Sequence, residues 1–532
     1  STLIDLSGRL RYLLRDAIGA TAHYCARDRS LRLELLELLI EHKSGMGAGV
    51  MSVLLEDPPQ GSRRPAVDNF VKGKVLVLLA VSQESDLLSR VAKLIRNEST
   101  PAPLLILAAE CVQRLGLPQD PHPDQDSDLP QPAITAQQLH ARLSAIDPTR
   151  LRDDSANKRT MLLKWLHERM TKGVTGDSYR FFGHEVRVGD WLLMRNPSPY
   201  NLFTDLSPGL FTHVGVVTTV VDDQGRRRFV IVDLPERGEH VPLANVDAYI
   251  LNTLHYFFVR HPDERVAQQM GAAAREMIGN PALFDLNFDT SRVADYQKGD
   301  LADRTIHTYC AGFLMICAQR SDAPLTDFFP VREQAAAGNT QQNLKTLGLS
   351  IGDDFVSPTA ALFSDKLQIV GRRRPMYDPA REVQESVYDH FAEQMKTATI
   401  RPSPNAAQAL REKLAQMSTG NTWLRRALAK ASGVNQQQDL ASAAKAAAVV
   451  ETLDEIAESN RDEFARARIV FFGTKSAQAK VETAAALRDR HAVLFELWQG
   501  RKLSPPRVQQ QLLEYYTDQG RRQINERFFT AR

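Results

Sequence analysis

Short runs of β-branched and aromatic residues are confined to the middle of this 532-residue chain, and they limit the folds open to it. The runs are Trp191–Met194, Thr212–Val221, Phe229–Asp233 and Tyr249–Arg260. Such residues favour strands over helices. Because the turn residues Asp222–Gly225 separate two of the runs, we expect those two to form an antiparallel hairpin. The sequence therefore predicts a mixed α+β module built on an antiparallel sheet.

Leucine and alanine at helical spacing dominate on both sides of that module. Segments such as Leu31–Ile40 predict a helical N-terminal domain over residues 1–117. The proline-rich and acid-rich stretch from Pro118 to Pro132 predicts a linker, followed by helices up to residue 175. The α+β module then covers residues 176–378, and residues 379–532 form a helical C-terminal domain. This division suits a chain too long for one hydrophobic core.

Several helices and one further strand have recognisable boundaries. A helix is expected to start at Pro262, with acids in its first turn, and to end at Gly279-Asn280. In the C-terminal domain, helices are expected from Asp439 to Phe472 and from Ala477 to Gly500. The apolar residues of Lys366–Val370 predict a strand that closes the sheet.

Bulk properties exclude several classes of protein. Lysine and arginine total 66 and aspartate and glutamate total 64, so the net charge of +2 gives no general argument for nucleic acid or an anionic membrane as a partner. Local charged patches stay open. No apolar run reaches the roughly 20 residues of a transmembrane helix, and the first five residues lack a basic-then-apolar signal pattern. Four cysteines suit a reducing compartment and argue against a disulfide framework or structural zinc: Cys25, Cys111, Cys310 and Cys317.

Three patterns resemble functional motifs but lack the required context. Gly348–Gly352 fits G-x-S-x-G, yet the polar residues before it do not predict the strand that a nucleophile elbow needs. Asp124–Asp128 resembles a calcium loop, but Leu129 replaces the glycine and Thr135 the glutamate. Gly45–Gly49 lacks the strand and the Gly-Lys ending of a phosphate loop. We interpret all three as loops or turns.

Cys310 is the candidate nucleophile. It follows Thr308-Tyr309 and precedes an apolar run typical of a buried helix, so its sulfur would lie beside the unpaired amides of a helix N-terminus. Cys317, seven residues later, is interpreted as a core residue. His213 is the candidate base, although a histidine in a β-branched run is more often structural than catalytic. Asp233, at the end of the next strand, would orient His213 across the hairpin.

His307 is a weaker candidate for the base. It lies three residues before Cys310 in the same segment, so the chain would have to fold back for its ring to reach the sulfur.

Five segments in order resemble the blocks of YiiX-like proteins, circularly permuted members of the NlpC-type papain-like superfamily related to lecithin:retinol acyltransferase-like enzymes. These segments are Val188–Leu193, Phe211–Val217, Phe229–Pro235, Gly279–Asp289 and Thr308–Leu314. The resemblance covers residues 180–320. It implies a permuted papain-like fold in which the strand with the histidine precedes the helix with the cysteine.

Carried onto this chain, the resemblance implies Cys310 as nucleophile, His213 as base and Asp233 as the residue that orients the base. Gly189-Asp190 matches a structural turn of the family. Where members often have Cys-Ser-Glu-Leu, this chain has Cys310 followed by Ala-Gly-Phe, which removes two polar side chains beside the nucleophile. The departure bears on substrate class and on activity itself.

We therefore expect a cysteine hydrolase or acyltransferase that works through an acyl-cysteine intermediate and needs no cofactor or metal. A lipid or other acyl ester is the favoured substrate, since Phe203, Leu210, Phe211, Phe284, Phe288 and Phe313 would line an acyl pocket or form core. A peptidoglycan amidase with the same triad is the first alternative. The second is an inactive scaffold whose flanking helical domains bind a protein partner. We expect a cytoplasmic protein in the producing cell, with secretion or delivery as a bacterial effector or toxin left open.

Overall fold

The computed structural model describes residues 51–56, 67–82, 87–119, 133–181, 184–195, 211–235, 240–285, 288–330, 339–346, 355–373, 379–400, 440–472, 484–500 and 502–529, apart from the single residues 53, 212, 252 and 254. Several predictions therefore lie outside the described residues. They concern Leu31–Ile40, Gly45–Gly49, Asp124–Asp128, Gly348–Gly352, Cys25 and most of the linker after Gln119.

Helices precede the sheet, as the leucine and alanine pattern predicts. They are α1 (Asn69–Ser82), α2 (Leu88–Arg96), α3 (Ala102–Leu115), α4 (Ala136–Ser144) and α5 (Asp153–Lys172). A capping box at Thr135 starts α4, and Gly173, with a φ of 70°, ends α5.

Six antiparallel strands form the main sheet, and this confirms the α+β class. After the short hairpin β1 (Ser178–Phe181) and β2 (His184–Arg187) come β3 (Trp191–Arg195), β4 (His213–Val221), β5 (Arg227–Val232), β6 (Leu243–Asn245), β7 (His255–Arg260) and, much later, β10 (Gln368–Arg373). The strand order in the sheet is β10-β7-β3-β4-β5-β6. The predicted hairpin of β4 and β5 and the predicted closing strand, β10 at one edge, are both present.

Two expectations about neighbouring elements are wrong. Residues 249–251 belong to a short helix, α6 (Val246–Leu251), and not to the strand that follows it. The helix expected from Pro262 is α7 (Glu264–Glu276), which begins two residues later. Asp263 is its N-cap, because its carboxylate accepts hydrogen bonds from the amides of Arg265 and Val266.

Between α7 and β10 lie β8 (Ala282–Phe284), β9 (Ile306–Thr308), α8 (Cys310–Gln319) and α9 (Asn339–Thr346). The parallel pair β8 and β9 forms a separate two-stranded sheet. Helix α8 has the buried apolar sequence expected of it, and it packs on β4 and α7.

The C-terminal region consists of α10 (Pro379–Thr397), α11 (Leu440–Phe472), α12 (Ala484–Arg490), α13 (Ala492–Gln499) and α14 (Pro505–Phe528). Helix α11 confirms the long helix expected after Asp439. The single helix expected over Ala477–Gly500 is wrong in its described part, since α12 and α13 are separated at His491. Helices α10, α11 and α14 pack against one another.

Both faces of the sheet are buried, each against a different set of helices. Alternate residues of β4 and β5 supply the two faces, as the two-residue period of a strand requires. One face contributes Val214, Val216, Val230 and Val232 to the hydrophobic cluster that also contains residues of α7, α8 and the C-terminal helices. The other packs on the helices before the sheet, through Val217, Phe229 and Ile231. The domain boundaries at residues 117, 175 and 378 stay predictions.

Among the described helices, none combines the length and apolar character that crossing a bilayer requires.

Candidate active site

Cys310 is the first residue of α8, and its position follows from the chain immediately before it. Tyr309, the N-cap, has extended backbone angles, and no side chain caps the helix. Phe313 donates the first amide hydrogen bond inside the helix, to the carbonyl of Tyr309 at 2.9 Å. The amides of the first turn therefore point past the Cys310 sulfur, where they favour negative charge.

The residues after Cys310 are small because α8 begins in close contact with β9. A Cβ atom at Gly312 would lie 2.0 Å from Oγ1 of Thr308, which is fully buried. Gly312 stands where the resembling family often has glutamate. A larger side chain here requires Thr308 to move, so the departure from the family pattern has a steric cause in this chain.

His213 is the first residue of β4, and Asp233 directly follows β5. Val216 pairs with Val232 in the ladder between these strands, so Gly215 lies opposite Asp233 and His213 lies one diagonal step away on the same face. A Cβ atom at Gly215 would lie 2.4 Å from Cγ2 of Ile231, so the packing of β5 requires glycine between the two positions. The two ends of the predicted hairpin thereby bring a base and an acid together.

The three residues form one hydrogen-bonded chain. Nδ1 of His213 lies 3.3 Å from Sγ of Cys310, and Nε2 of His213 lies 3.0 Å from Oδ2 of Asp233. Since a carboxylate can only accept a hydrogen bond, Nε2 carries the ring proton and donates a hydrogen bond to Asp233. In the neutral ring Nδ1 then has the lone pair and faces the thiol. The structure thus brings together all three residues selected from the sequence.

The electrostatics favour a charged histidine. Burial alone would lower the pKa of His213, but the negative charge of the Cys310 thiolate and the hydrogen bond to Asp233 outweigh it and raise that pKa well above its usual value. The cysteine is 4 % exposed, and the histidine side chain is 18 % exposed. The imidazole of His213 therefore favours its charged form between the sulfur of Cys310 and the carboxylate of Asp233, in a mostly desolvated place.

Tyr249 is a site residue that the sequence reasoning missed. It lies on α6, and its hydroxyl donates a hydrogen bond to Oδ2 of Asp233, the same oxygen that accepts from His213. The run from Tyr249 to Arg260 looks like one strand, which hides a helix whose side chain reaches the acid. The sequence around Tyr249 gives little indication of this role, because α6 is brought next to β5 only by the folding of the chain.

Thr359 is a second missed residue, and it fixes the chain just before His213. Its Oγ1 accepts from the amide of Phe211 at 2.9 Å and donates to the carbonyl of Phe211 at 3.3 Å. Phe211 itself is fully buried. A side chain 148 residues away thereby fixes the position from which β4 begins.

His307 does not contact Cys310 in this way. Its Nδ1 lies 2.9 Å from Nη1 of Arg292, so the neutral ring accepts a hydrogen bond from the guanidinium. Burial, with the nearby charge of Arg292, lowers the pKa of His307 although Asp285 opposes the shift. The structure therefore pairs His213, and not His307, with the cysteine.

The other described thiols are buried without such partners. Burial raises the pKa of Cys111 to about 12 and that of Cys317 still further. The phenylalanines considered as an acyl pocket are core where the structure describes them, since Phe211, Phe284, Phe288 and Phe313 are all at most 6 % exposed. Phe203 and Leu210 lie outside the described residues.

Gly189-Asp190 forms the structural turn expected of it, at the far end of β3 from His213. Gly189 has a φ of 85°, and a Cβ atom there would lie 1.9 Å from the carbonyl oxygen of Ala267. Asp190 is fully buried and accepts hydrogen bonds from Nε and Nη2 of Arg260 at 2.7 and 2.8 Å. This pair joins β3 to β7 and takes no part in the chain of Cys310, His213 and Asp233.

Within the described ranges, no three histidine, cysteine, aspartate or glutamate side chains gather closely enough to hold a metal ion. No protein-family model, curated protein or solved structure matches the chain. Function is therefore inferred from the geometry of the site.

Proposed function

We propose that this protein is a cysteine hydrolase or acyltransferase in which Cys310, His213 and Asp233 act as nucleophile, base and orienting acid. One observation carries the proposal: residues that are 97 and 20 positions apart meet in a continuous chain from sulfur to carboxylate. A histidine used only for packing has no need of a thiol on one nitrogen and a carboxylate on the other. Nucleophile, base and orienter in this order are the arrangement that activates a thiol.

The geometry supports a specific sequence of steps. The Cys310 thiolate attacks the carbonyl carbon of an acyl substrate, and the amides at the start of α8 stabilise the negative oxygen that forms. His213 then transfers its Nδ1 proton to the leaving group as the carbon–heteroatom bond breaks. The product is an acyl-cysteine. A water or another acceptor, deprotonated by His213, attacks this thioester and restores the thiolate.

A permuted papain-like fold is part of the proposal. Three features support it: an antiparallel sheet carries the base, the nucleophile begins a helix packed on that sheet, and the histidine precedes the cysteine in the chain. The acyl bond can belong to an ester or an amide. Because the described phenylalanines are core, they favour neither, and the substrate must be found by experiment.

Trapping the acyl-cysteine tests the proposal. The full chain is incubated with the electrophile iodoacetamide and, separately, with mixtures of lipid esters and of cell-wall peptides, and modified peptides are mapped by mass spectrometry. We expect alkylation and a hydroxylamine-sensitive acyl group on Cys310, both absent from Cys310→Ala and unchanged in Cys317→Ala. Labelling of Cys25 or Cys111 in place of Cys310 would reject the assignment.

The same experiment separates the alternatives. Released fatty acid identifies an ester hydrolase, and released cell-wall fragments identify an amidase. Folded protein that gives neither an acyl-cysteine nor accelerated alkylation would favour a scaffold that binds a partner through its helices.

A further inference from the structure

A small pocket, open to solvent and with a cavity volume of about 20 Å³, lies where the N-terminal helices meet the start of β5, away from the cysteine. Four arginines line it: Arg169 from α5 and Arg226, Arg227 and Arg228 from β5 and the turn before it. Pro118, Gln119, Ala136, Gly173 and Val174 complete the wall. Asp233 follows the last residue of β5, so the pocket is about 20 Å from the triad at the usual rise of a strand.

Among the residues that the structure describes around this pocket, positive charges outnumber negative ones. Asp222 accepts hydrogen bonds from Nε of Arg226 and Nε of Arg228, each at 2.9 Å, and although burial opposes the shift these bonds lower the pKa of Asp222 to about 2. One permanent carboxylate is therefore shared by two guanidiniums. Asp177 lies 3.9 Å from Nη1 of Arg227 but is 86 % exposed, so water screens it.

A third acid, Asp247, is buried behind the wall and is bound by Gln119. Burial raises the pKa of Asp247, which weakens its negative charge as a counterion for the pocket. Four guanidiniums thus face one firmly paired carboxylate, one solvated carboxylate and one carboxyl group whose ionisation burial disfavours.

Two of the arginines are placed to bind a ligand. Arg227 donates from Nη1 to the carbonyl of Gly176 and lies over the ring of Phe229, with its side chain 34 % exposed. Arg169 donates from Nη2 to the carbonyl of Leu117 at 2.9 Å and lies over the ring of Tyr179. These contacts fix each guanidinium plane. A guanidinium has five N–H donors, so donors beyond these bonds remain for an anion at the wall.

We propose that this arginine pocket binds a phosphate-bearing ligand. Several fixed guanidiniums suit a dianionic group with three oxygens better than a carboxylate, because the third oxygen and the second negative charge let a second guanidinium bind while the first is bidentate. The cavity is open to solvent and encloses only about 20 Å³, so a phosphate group would lie against the arginines at its mouth while the substituent stays in solvent. A soluble phosphate ester and a lipid headgroup present the same chemistry.

The test titrates the full chain with inorganic pyrophosphate and with glycerol 3-phosphate by calorimetry, using acetate as the anion control. Flotation with phosphatidic acid vesicles, against phosphatidylcholine vesicles, tests the lipid form. We expect binding of the phosphates and not of acetate, with the dissociation constant about tenfold larger in Arg227→Gln and in Arg169→Gln, since a charge-assisted hydrogen bond contributes about 1.5–3 kcal/mol. Arg150→Gln removes an 86 % exposed arginine outside the pocket, so it should change the dissociation constant less than about twofold.

The outcomes are distinct. Binding of glycerol 3-phosphate alone supports a soluble ester, and flotation with phosphatidic acid alone supports a headgroup. If neither phosphate nor vesicle binds, or if Arg150→Gln weakens binding as much as both pocket variants do, the proposal is wrong. Thermal unfolding of each variant verifies that the fold is retained, and none of these readouts depends on a reaction at Cys310.

Discussion

Two thiols in one helix show how strongly position controls the chemistry of a cysteine. Cys310 and Cys317 both belong to α8, seven residues apart and on nearly the same face. Cys317 is fully buried among apolar residues, and burial raises its pKa far above that of a free thiol. Cys310 lies at the helix start and has His213 as a neighbour, and the pKa of that histidine is raised. The core thiol and the candidate nucleophile thus differ by about 10 Å along one helix and by the presence of one partner.

The pH dependence of alkylation tests the charged pair directly. An ordinary thiol with a pKa of about 8.5 is about 50 % thiolate at pH 8.5 and only about 1 % at pH 6.5, so its alkylation slows about fiftyfold between these pH values. Because His213 keeps its proton well above its usual pKa, we expect the rate at Cys310 to stay within about threefold over this range. Stopped alkylation with peptide mapping measures the rate at each pH.

Two variants serve as controls for that profile. His213→Gln removes the cation and should restore the steep fall of an ordinary thiol. His307→Gln should leave the profile flat, since that ring contacts Arg292. A steep fall in the unmodified protein would show that no thiolate–imidazolium pair exists.

Removing one hydroxyl tests the support of the acid. Tyr249→Phe deletes the donor to Oδ2 of Asp233 and retains the ring. Without this bond the carboxylate is held less firmly, and we expect alkylation of Cys310 at pH 7 to slow about three- to tenfold, since the bond acts on the thiol only through Asp233 and His213. Tyr515→Phe, on α14 and outside the site, should change the rate less than about twofold. Equal rates for all three proteins would exclude Tyr249 as a positioning residue.

At the scale of elements, the junction of β9 and α8 sets how the nucleophile is presented. Gly312→Ala would place a methyl group against Oγ1 of Thr308, a buried atom without a hydrogen-bond partner among the described residues. We expect a loss of about 1–3 kcal/mol in the free energy of unfolding, as in other overpacked cores. Urea unfolding followed by circular dichroism measures it.

A double-mutant cycle separates this contact from a general intolerance of alanine. Thr308→Ala removes the clashing oxygen, so Gly312→Ala should then cost less than about 1 kcal/mol. The ring of Tyr309 stays 3.3 Å from the new methyl group and accounts for a small remaining cost. Additive losses would mean that the two side chains do not oppose each other.

The elements differ in how far the sequence alone could predict them. Strands β3, β4 and β5 were predictable because they are continuous runs bounded by turn residues, and α8 was predictable as an apolar run after polar residues. Helix α6 was not, since six residues give too little periodicity to distinguish a helix from the strand that follows. Cys310, His213 and Asp233 stood out by residue type and by a family resemblance. Tyr249 and Thr359 are ordinary residues that act only through contacts 16 and 148 residues away.

At the scale of the whole molecule, Gln119 joins parts of the chain that the sequence suggests are separate. It lies at the start of the predicted linker, yet it is buried. Its side-chain amide bonds to the backbone of Phe229 in β5, and the same side chain and its backbone amide donate to Asp247 in α6. Helix α6 also carries Tyr249. The N-terminal region thus supports, through one residue, the helix that holds the acid of the triad, and the same residue lines the arginine pocket.

We therefore expect Gln119→Leu both to lower the free energy of unfolding and to slow the alkylation of Cys310. The pKa of Asp247 is raised by burial and held down by the hydrogen bonds from Gln119, so removal of the side-chain amide raises it further. A carboxyl group with a raised pKa in the folded state stabilises the fold below its unfolded pKa of about 3.9, and this stability is lost as the pH rises through the folded value. We expect Gln119→Leu to lose about 2 kcal/mol at pH 7 and less as the pH falls toward 4, because protonation of Asp247 removes the charge that the amide of Gln119 stabilises.

Urea unfolding at both pH values and alkylation of Cys310 at pH 7 measure these effects. The exposed Gln499→Leu is the matched control, with a stability change within about 0.5 kcal/mol and an unchanged alkylation rate. In an Asp247→Asn background the extra pH dependence caused by Gln119→Leu should disappear, because no carboxyl group remains to titrate. A loss of stability that is the same at pH 4 and pH 7 would contradict the role of Asp247. An unchanged alkylation rate in Gln119→Leu would show that α6 holds Tyr249 in place without support from the N-terminal region.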